Sequence, residues 1–339
     1  MKVFFQNSGY TNMGNVFFEK SLLEDIKSTW GLDSAQIRLG YVFQPWERRF
    51  STQVTNKETL ALTRMKEKFV VFNGPWFSEG HSAHLRSILS KLDHSKTRYL
   101  LLSVGSMSFT ENEVREFRNL LKEFPPLALS TRDEFTYENY HDLAEFAYNG
   151  LCSSFYLPIH YKLDTTKQDF VLFSFDTSRE IPTEIAQKMI EDESFKSTWA
   201  SSELSKLARI RRFLVRDASP EVSGMSVLRS DQIPFRRLPK LVDALGPTLV
   251  SPEFMDYLGL YAQGKFCFTS RIHVAAPSAA FGTPSVYLGK SPRKLVLERA
   301  GMIQGELSIV NPDLIRKEHQ LFQNFLKSLP INFPDSEGQ

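Results

Sequence analysis

The side chains best suited to chemistry lie in one stretch, FTSRIHVAAPSAAFGTPSVYLG at 268–289, whose pattern predicts a strand, a sharp turn, a helix of small residues and a second strand. Arg271 and His273 stand two residues apart in the turn, although both are costly to bury. In doubly wound folds, ligands bind where the carboxyl end of a strand meets the amino end of the next helix, which attracts anions. We therefore predict a site in which Arg271 binds an anionic substrate beside His273.

A second arginine follows a predicted strand in LALSTRDEFTYENY. Arg132 comes directly after the strand, and Asp133 begins the next helix. A planar guanidinium in that position can bind a phosphate or a carboxylate through two hydrogen bonds. The alternative is an Arg132 that pairs with a carboxylate of the neighbouring helix.

The third candidate is a turn between strand and helix, NSGYTNMGN at 7–15. Gly9 and Gly14 allow the backbone to bend tightly. Asn12 or Asn15 can cap the helix, whose free N–H groups then face a ligand. The spacing differs from GxGxxG, so the turn is not a dinucleotide fingerprint. A glycine-rich turn without a ligand is the alternative.

A basic segment, KLARIRRFLVR at 206–216, is followed by FRRLPK at 235–240. In the first segment, basic and apolar residues alternate at helical spacing, which predicts a helix with one basic and one apolar face. Such a helix can contact anionic lipid or an acidic saccharide. An ordinary solvated helix face packed on the second domain is the alternative.

Composition excludes several classes of protein. The 339 residues are 42% hydrophobic and 24% charged, as in soluble globular proteins, and a net charge of +2 gives no reason to expect a nucleic acid as partner. No apolar run reaches the ~20 residues needed to span a bilayer, so we expect a cytoplasmic protein, with peripheral membrane contact left open. The chain has no GxSxG, P-loop or HExxH motif, which argues against common hydrolases and kinases. Cys152 and Cys267 are predicted to be buried and reduced.

The elements that position these residues follow a βα pattern along the chain. In the first half, apolar runs predict strands at MKVFFQ, QIRLGYVF, KFVVFNG, YLLLSVGS, PLALST and SSFYLP. Helices are predicted between them at 14–30, 58–68, 83–92, 111–124 and 133–146. The pattern restarts at FVLFSF after a polar linker, 160–169. We predict an α/β protein with two Rossmann-like domains, 1–159 and 170–330, that face a cleft, and the final helix can cross back onto the first domain.

Five of these stretches together resemble the polysaccharide pyruvyl transferase family. They are GYTNMGN, VVFNG, LLLSVGS, STRDEFTYE and above all FTSRIHVAAPSAAFGTPSVYLG. Their order and spacing fit over most of the chain, except for 195–245. The resemblance implies a fold similar to a GT-B glycosyltransferase, with the active site between two Rossmann-like domains.

Members of this family transfer the carboxyethylidene group of phosphoenolpyruvate to two hydroxyls of a sugar, which makes a pyruvate ketal. The resemblance implies that His273 is the general acid/base and that Arg271 and Arg132 bind the carboxylate and phosphate of the donor. It places the donor on domain 170–330 and the sugar acceptor, a glycan or glycolipid of the cell envelope, on domain 1–159. Further substrate-binding residues are Arg293 or Lys294 for the donor and Asn12, Gly14 and Asn15 for the acceptor. No metal and no cofactor besides phosphoenolpyruvate is expected.

The chain departs from the family pattern at three positions. Where a glycine-rich turn usually follows the third strand, it has Asn73-Gly74-Pro75-Trp76, so Trp76 is predicted to stack on a sugar ring. Asn15 stands where an acidic residue is usual, and Val274 stands where a glycine is usual. These departures bear on the identity of the acceptor and on activity.

Two other functions fit parts of the same pattern. A nucleotide-sugar glycosyltransferase of the GT-B type would share the fold and the basic residues, and it would need an acidic residue for the ribose hydroxyls, for which Glu298 is the nearby candidate. A non-catalytic carbohydrate-binding or scaffold protein could keep the same fold, because fold alone does not imply function. The presence of Arg132, Arg271 and His273 together favours an enzyme.

Overall fold

The computed structural model describes residues 2–7, 13–41, 67–175, 181–192, 194–196, 221–232 and 248–331. The chain divides into two compact units. Unit 1 contains Met1–Gly9, Phe18–Ser153 and Lys317–Gln339, and unit 2 contains Tyr10–Phe17 and Ser154–Arg316. The domain limits 1–159 and 170–330 stay a prediction. Both basic segments, Asn12 and nearly all of the helix predicted at 58–68 lie outside the described residues.

Unit 1 is built on a six-stranded parallel sheet in the order β2-β1-β3-β4-β5-β6. Its strands are β1 Val3–Asn7, β2 Ile37–Tyr41, β3 Phe69–Phe77, β4 Arg98–Ser106, β5 Ala128–Thr131 and β6 Phe146–Asn149. Its helices are the part of α1 (Met13–Trp30) from Phe18 onward, α2 Ser82–Leu89, α3 Glu111–Glu123 and α4 Glu134–Tyr140. The part of the final helix, Pro312–Ser328, from Lys317 onward also belongs to unit 1.

The centre of this sheet is covered on both faces. All nine residues of β3 and all but the first of β4 are buried, as expected for parallel strands between two helical layers. Their apolar side chains share one core with α2 and α3, including Phe72, Leu101 and Phe117. Each buried aromatic side chain of this kind contributes about 1.5–3 kcal/mol, so the sheet and its helices form a stable frame for the turns at the strand ends.

One strand predicted for the first half of the chain is not formed. The segment SSFYLP, predicted as a strand, forms a 3₁₀ turn at Ser153–Tyr156 and then the short helix α5, Leu157–His160. The sixth strand is instead β6, which pairs with β5 in parallel. An aromatic-rich run fits a strand or a buried helix equally well, and tertiary pairing decided between them.

Unit 2 is built on a second, mostly parallel sheet in the order β10-β9-β7-β11-β12-β13, with β8 on β9. The strands are β7 Gln168–Ser174, β8 Glu221–Val222, β9 Met225–Ser230, β10 Thr248–Leu249, β11 Gly264–Thr269, β12 Ser285–Tyr287 and β13 Leu307–Ser308. Only β8 and β13 pair antiparallel among the described strands. The remaining helices are α6 Thr183–Glu191, α7 Phe254–Gln263, α8 Ile272–Ala280, α9 Leu295–Glu298 and α10 Pro312–Ser328.

The small residues of α8 let this helix pack closely. Ala275, Ala276 and Ala279 have no exposed surface, and α8 lies against α7, β11 and β12. Cys152 and Cys267 are buried and free, as predicted. Within the described part of the chain, no helix combines the length and apolar character that a membrane span requires. The predicted α/β class with two mostly parallel sheets is confirmed.

Candidate active site

The turn between β11 and α8 is fixed by hydrogen bonds to its neighbours in unit 2. Arg271 is the residue that precedes the helix, in an extended conformation. Its backbone N–H donates to Thr269 Oγ1 at 2.9 Å, and that hydroxyl donates to the Ser174 carbonyl at the end of β7, at 2.6 Å. The turn therefore cannot shift without breaking contacts to the adjacent strand.

The Arg271 side chain is held by an acidic residue that sequence reasoning missed. Its guanidinium lies 3.6 Å from a carboxylate oxygen of Asp231, and both side chains are largely buried, with 12% and 6% of their surface exposed. Asp231 follows β9 directly. Because β9 falls in the stretch 195–245, where no strand pattern was recognised, the signal to look for was an acidic residue directly after the run MSVLRS.

His273 is the second residue of α8 and is half-buried. Its main-chain carbonyl accepts a hydrogen bond from Gln232 Nε2 at 3.0 Å. The neighbouring Val274, where the family usually has a glycine, has no exposed surface and belongs to the apolar core of unit 2. The structure thus brings Arg271 and His273 together at one strand-to-helix turn, with a buried carboxylate beside the arginine.

Arg293 and Lys294, the further residues predicted to bind the donor, follow β12. Arg293 Nε donates to Ser291 Oγ at 3.1 Å. Lys294 Nζ lies 3.0 Å from a carboxylate oxygen of Glu298 on the next turn, and both side chains are more than one-third exposed. Glu298, the acidic residue that a glycosyltransferase would use, is therefore an ion-pair partner of Lys294.

Arg132 lies at the equivalent kind of turn in unit 1, after β5. Its N–H donates to the Val104 carbonyl at 3.1 Å, its guanidinium carbon lies 5.5 Å from the centre of the Phe18 ring, and only 1% of the residue is exposed. Asp133 caps α4 and accepts from the Thr136 N–H at 2.8 Å. Burial raises the pKa of Asp133, and the Thr136 hydrogen bonds and the Arg132 charge act in the opposite direction. Arg132 is thus an interior cation of unit 1.

The predicted turn at the start of α1 is described from Met13 onward. The Met13 N–H donates to the main-chain carbonyl of Gln232 at 2.9 Å, so this helix N–H is not directed at a ligand. Gly14 lies in the first helical turn, and Asn15 is 3% exposed. The capping role given to Asn12 lies outside the described residues.

The predicted sugar-stacking role of Trp76 is wrong. The indole has no exposed surface, stacks on the His84 ring at 6.0 Å and 21°, and donates from Nε1 to Gln6 Oε1 at 2.9 Å. The reason is that β3 continues to Phe77 and does not end at Gly74. Trp76 therefore points into the core of unit 1 from within a strand.

Comparison with known proteins gives first a fold and then a family. The backbone is similar to those of UDP-GlcNAc 2-epimerases, which have the GT-B fold. The enzyme from Methanocaldococcus jannaschii is 11% identical with a TM-score of 0.51, over 96% of this chain and 93% of that one. The enzyme from Rickettsia bellii is also 11% identical, with a TM-score of 0.50, over 96% and 88%. Both likenesses concern the fold alone, and they confirm the predicted GT-B-like class.

The family is shown by sequence. The model of the polysaccharide pyruvyl transferase family matches residues 12–292, most of the chain. The chain therefore belongs to the polysaccharide pyruvyl transferase family, as the resemblance of its motifs implied. A search of curated proteins finds no match.

Proposed function

We propose that the protein transfers the pyruvate group of phosphoenolpyruvate to two hydroxyls of a sugar and so forms a pyruvate ketal. The observation that carries this proposal is the pair Arg271 and His273 at the start of α8, in a chain that belongs to the pyruvyl transferase family. A cation and a titratable imidazole at one strand-to-helix turn suit an anionic donor that must gain a proton.

In this reaction, a carbon atom of phosphoenolpyruvate is protonated before the sugar hydroxyl attacks. In our proposal, His273 delivers a proton to the methylene carbon of phosphoenolpyruvate, which leaves oxocarbenium character at the adjacent carbon. One sugar hydroxyl attacks that carbon, the carbon–oxygen bond to phosphate breaks, and a second hydroxyl closes the ketal. The two hydroxyls release two protons, of which one replaces the proton that His273 gave up and the other leaves with the phosphate.

The cations stabilise charge on the donor. Arg271 is assigned to an anionic group of phosphoenolpyruvate, because preorganised cations in a water-poor site stabilise developing charge most strongly. Asp231 at 3.6 Å keeps the guanidinium in place before the donor arrives. Arg132 stays the proposed second cation, and Arg293, Lys294, Asn12, Gly14 and Asn15 stay proposed substrate-binding residues.

The acceptor is proposed to be a sugar of a cell-envelope polysaccharide, free or lipid-linked, and the reaction is placed in the cytoplasm. Family membership supports a saccharide acceptor. The basic segment 206–216 supports contact with an anionic lipid surface in this proposal.

Phosphate release from phosphoenolpyruvate tests the function. We expect release only with certain glycosides in a panel of galactose, mannose, glucose and amino-sugar acceptors, and a fall of about 100-fold or more in His273→Ala, the usual range for loss of a general acid. His141→Ala, which changes an exposed histidine, serves as control. No release with any acceptor, together with thermal stabilisation by a nucleotide sugar and none by phosphoenolpyruvate, would overturn the proposal in favour of a glycosyltransferase.

A further inference from the structure

A proline in α8 removes the backbone hydrogen bond that the His273 carbonyl would otherwise accept within the helix. In an α-helix, the carbonyl of His273 would accept from the N–H of the residue four positions later, which is Pro277. Proline has no N–H, and its ring crowds the carbonyl four residues before it. The ordinary helical donor to the His273 carbonyl is therefore missing, and a donor from outside the helix can take its place.

Gln232 provides that donor. Its side-chain amide donates to the His273 carbonyl at 3.0 Å and to the Tyr261 hydroxyl at 3.1 Å, and the residue is only 2% exposed. The orientation of the amide follows from chemistry, because a carbonyl oxygen can accept only from the nitrogen of the amide. Tyr261 is itself fully buried in α7, so Gln232 is anchored on a rigid element.

The main chain of Gln232 is fixed as well. Its carbonyl accepts from the Met13 N–H at 2.9 Å, and the preceding residue, Asp231, receives the Arg271 guanidinium. Two consecutive residues after β9 thus contact the arginine and the histidine of the Arg-Ile-His stretch. Asp231 does so through the arginine side chain, and Gln232 through the histidine main chain.

We propose that Gln232 is a positioning residue for His273, which sets the orientation of the imidazole by replacing the helical hydrogen bond that Pro277 removes. The inference rests on the proposed function, in which His273 is the proton donor. Gln232 itself touches neither donor nor acceptor in this account and acts only through the His273 backbone.

A double-substitution experiment separates this role from a general contribution to folding. Gln232→Leu keeps the approximate size and removes the donor, whereas Pro277→Ala restores an N–H that can reach the His273 carbonyl. We expect Gln232→Leu to lower kcat about tenfold or more with a smaller change in KM, because small displacements of a reacting group cost up to ~100-fold. The double variant Gln232→Leu/Pro277→Ala should recover most of this loss. Ser285→Ala, which removes another buried hydrogen bond in unit 2, is the control and should leave kcat unchanged.

A second measurement does not depend on turnover. The ring protons of His273, followed by NMR as a function of pH, should shift in Gln232→Leu and return towards the wild-type titration in the double variant. If Gln232→Leu does not fold, Gln232→Met is measured in its place, with the same expectation. The proposal is overturned if kcat stays low in the double variant, or if the His273 resonances and their titration are the same with and without the Gln232 amide. Absence of phosphate release in the wild type would defeat the proposed function, and the NMR titration would still decide the role of Gln232.

Discussion

Gly105 shows how closely the neighbours of Arg132 are packed. A Cβ atom placed on this glycine of β4 would lie 2.7 Å from Arg132 Nε and 2.8 Å from an Asp133 carboxylate oxygen. Real Cβ atoms do not approach so closely, so the absence of a side chain at 105 is what allows the arginine its position. The glycine at position 105 therefore allows Arg132, a proposed substrate-binding cation, to keep its observed position.

The substitution Gly105→Ala should displace Arg132. We expect about a tenfold loss in affinity for phosphoenolpyruvate, measured by calorimetric titration, and a loss of about 1–3 kcal/mol in the free energy of unfolding from overpacking. Gly259→Ala is the matched control, because a Cβ there meets nothing within 4 Å in α7. It should keep the affinity and gain up to ~1 kcal/mol of stability. An unchanged affinity in Gly105→Ala would remove Arg132 from the proposed site.

At the scale of elements, the two helix starts that follow β4 and β5 both bury a carboxylate. Glu113 accepts from the N–H groups of Met107, Ser108 and Phe109 at 3.3, 2.8 and 3.3 Å. Asp133 caps α4. Burial raises the pKa of each carboxyl, and it outweighs the hydrogen bonds that lower it.

These raised pKa values predict the pH dependence of stability. A carboxyl with a higher pKa in the folded state holds its proton more tightly there, so stability is lost as the pH rises from the unfolded value, about 4, through the folded value. The double variant Glu113→Gln/Asp133→Asn should therefore weaken the fall in unfolding free energy over that range, measured by urea denaturation at several pH values. A slope identical to that of the wild type would show that neither carboxyl titrates in this way.

Elements with a complete local pattern could be predicted from sequence, and those that depend on distant partners could not. The apolar runs of β3 and β4 and the Arg-Ile-His turn carry their own signal, and they lie where predicted. Trp76 was misplaced because the polar Asn73-Gly74-Pro75 stretch suggests a turn, while pairing with β4 keeps it in a strand. Asp231 has only a weak local signal, its place directly after the run MSVLRS, and Gln232 has none, because their roles depend on contacts with residues distant in sequence, Arg271 and His273.

At the scale of the whole molecule, unit 1 depends on the end of the chain. Trp30 on α1 donates from its indole to the Leu326 carbonyl on α10 at 3.1 Å, and His319 lies 2.6 Å from Asp25. The Tyr148 ring of β6 packs on Phe325 at 5.4 Å. Asp25 has no exposed surface, so this contact between α1 and α10 is buried, although its two residues are 294 positions apart in sequence.

His319→Leu should destabilise unit 1, because it leaves the buried Asp25 carboxylate without this partner. We expect a loss of about 3 kcal/mol in the free energy of unfolding, the usual cost of leaving a buried carboxylate without a hydrogen-bond partner. The exposed substitution His141→Ala should change the same quantity by less than about 0.5 kcal/mol. Equal unfolding midpoints in urea for both variants would show that the pair does not stabilise the unit.

The proposed formation of a pyruvate ketal is best tested by the mass of the sugar after incubation with isotope-labelled phosphoenolpyruvate. We expect a glycoside that gains the labelled carboxyethylidene group with the wild-type protein and not with His273→Ala. Phosphoenolpyruvate consumed without label on any sugar, or label transferred equally well by His273→Ala, would contradict it.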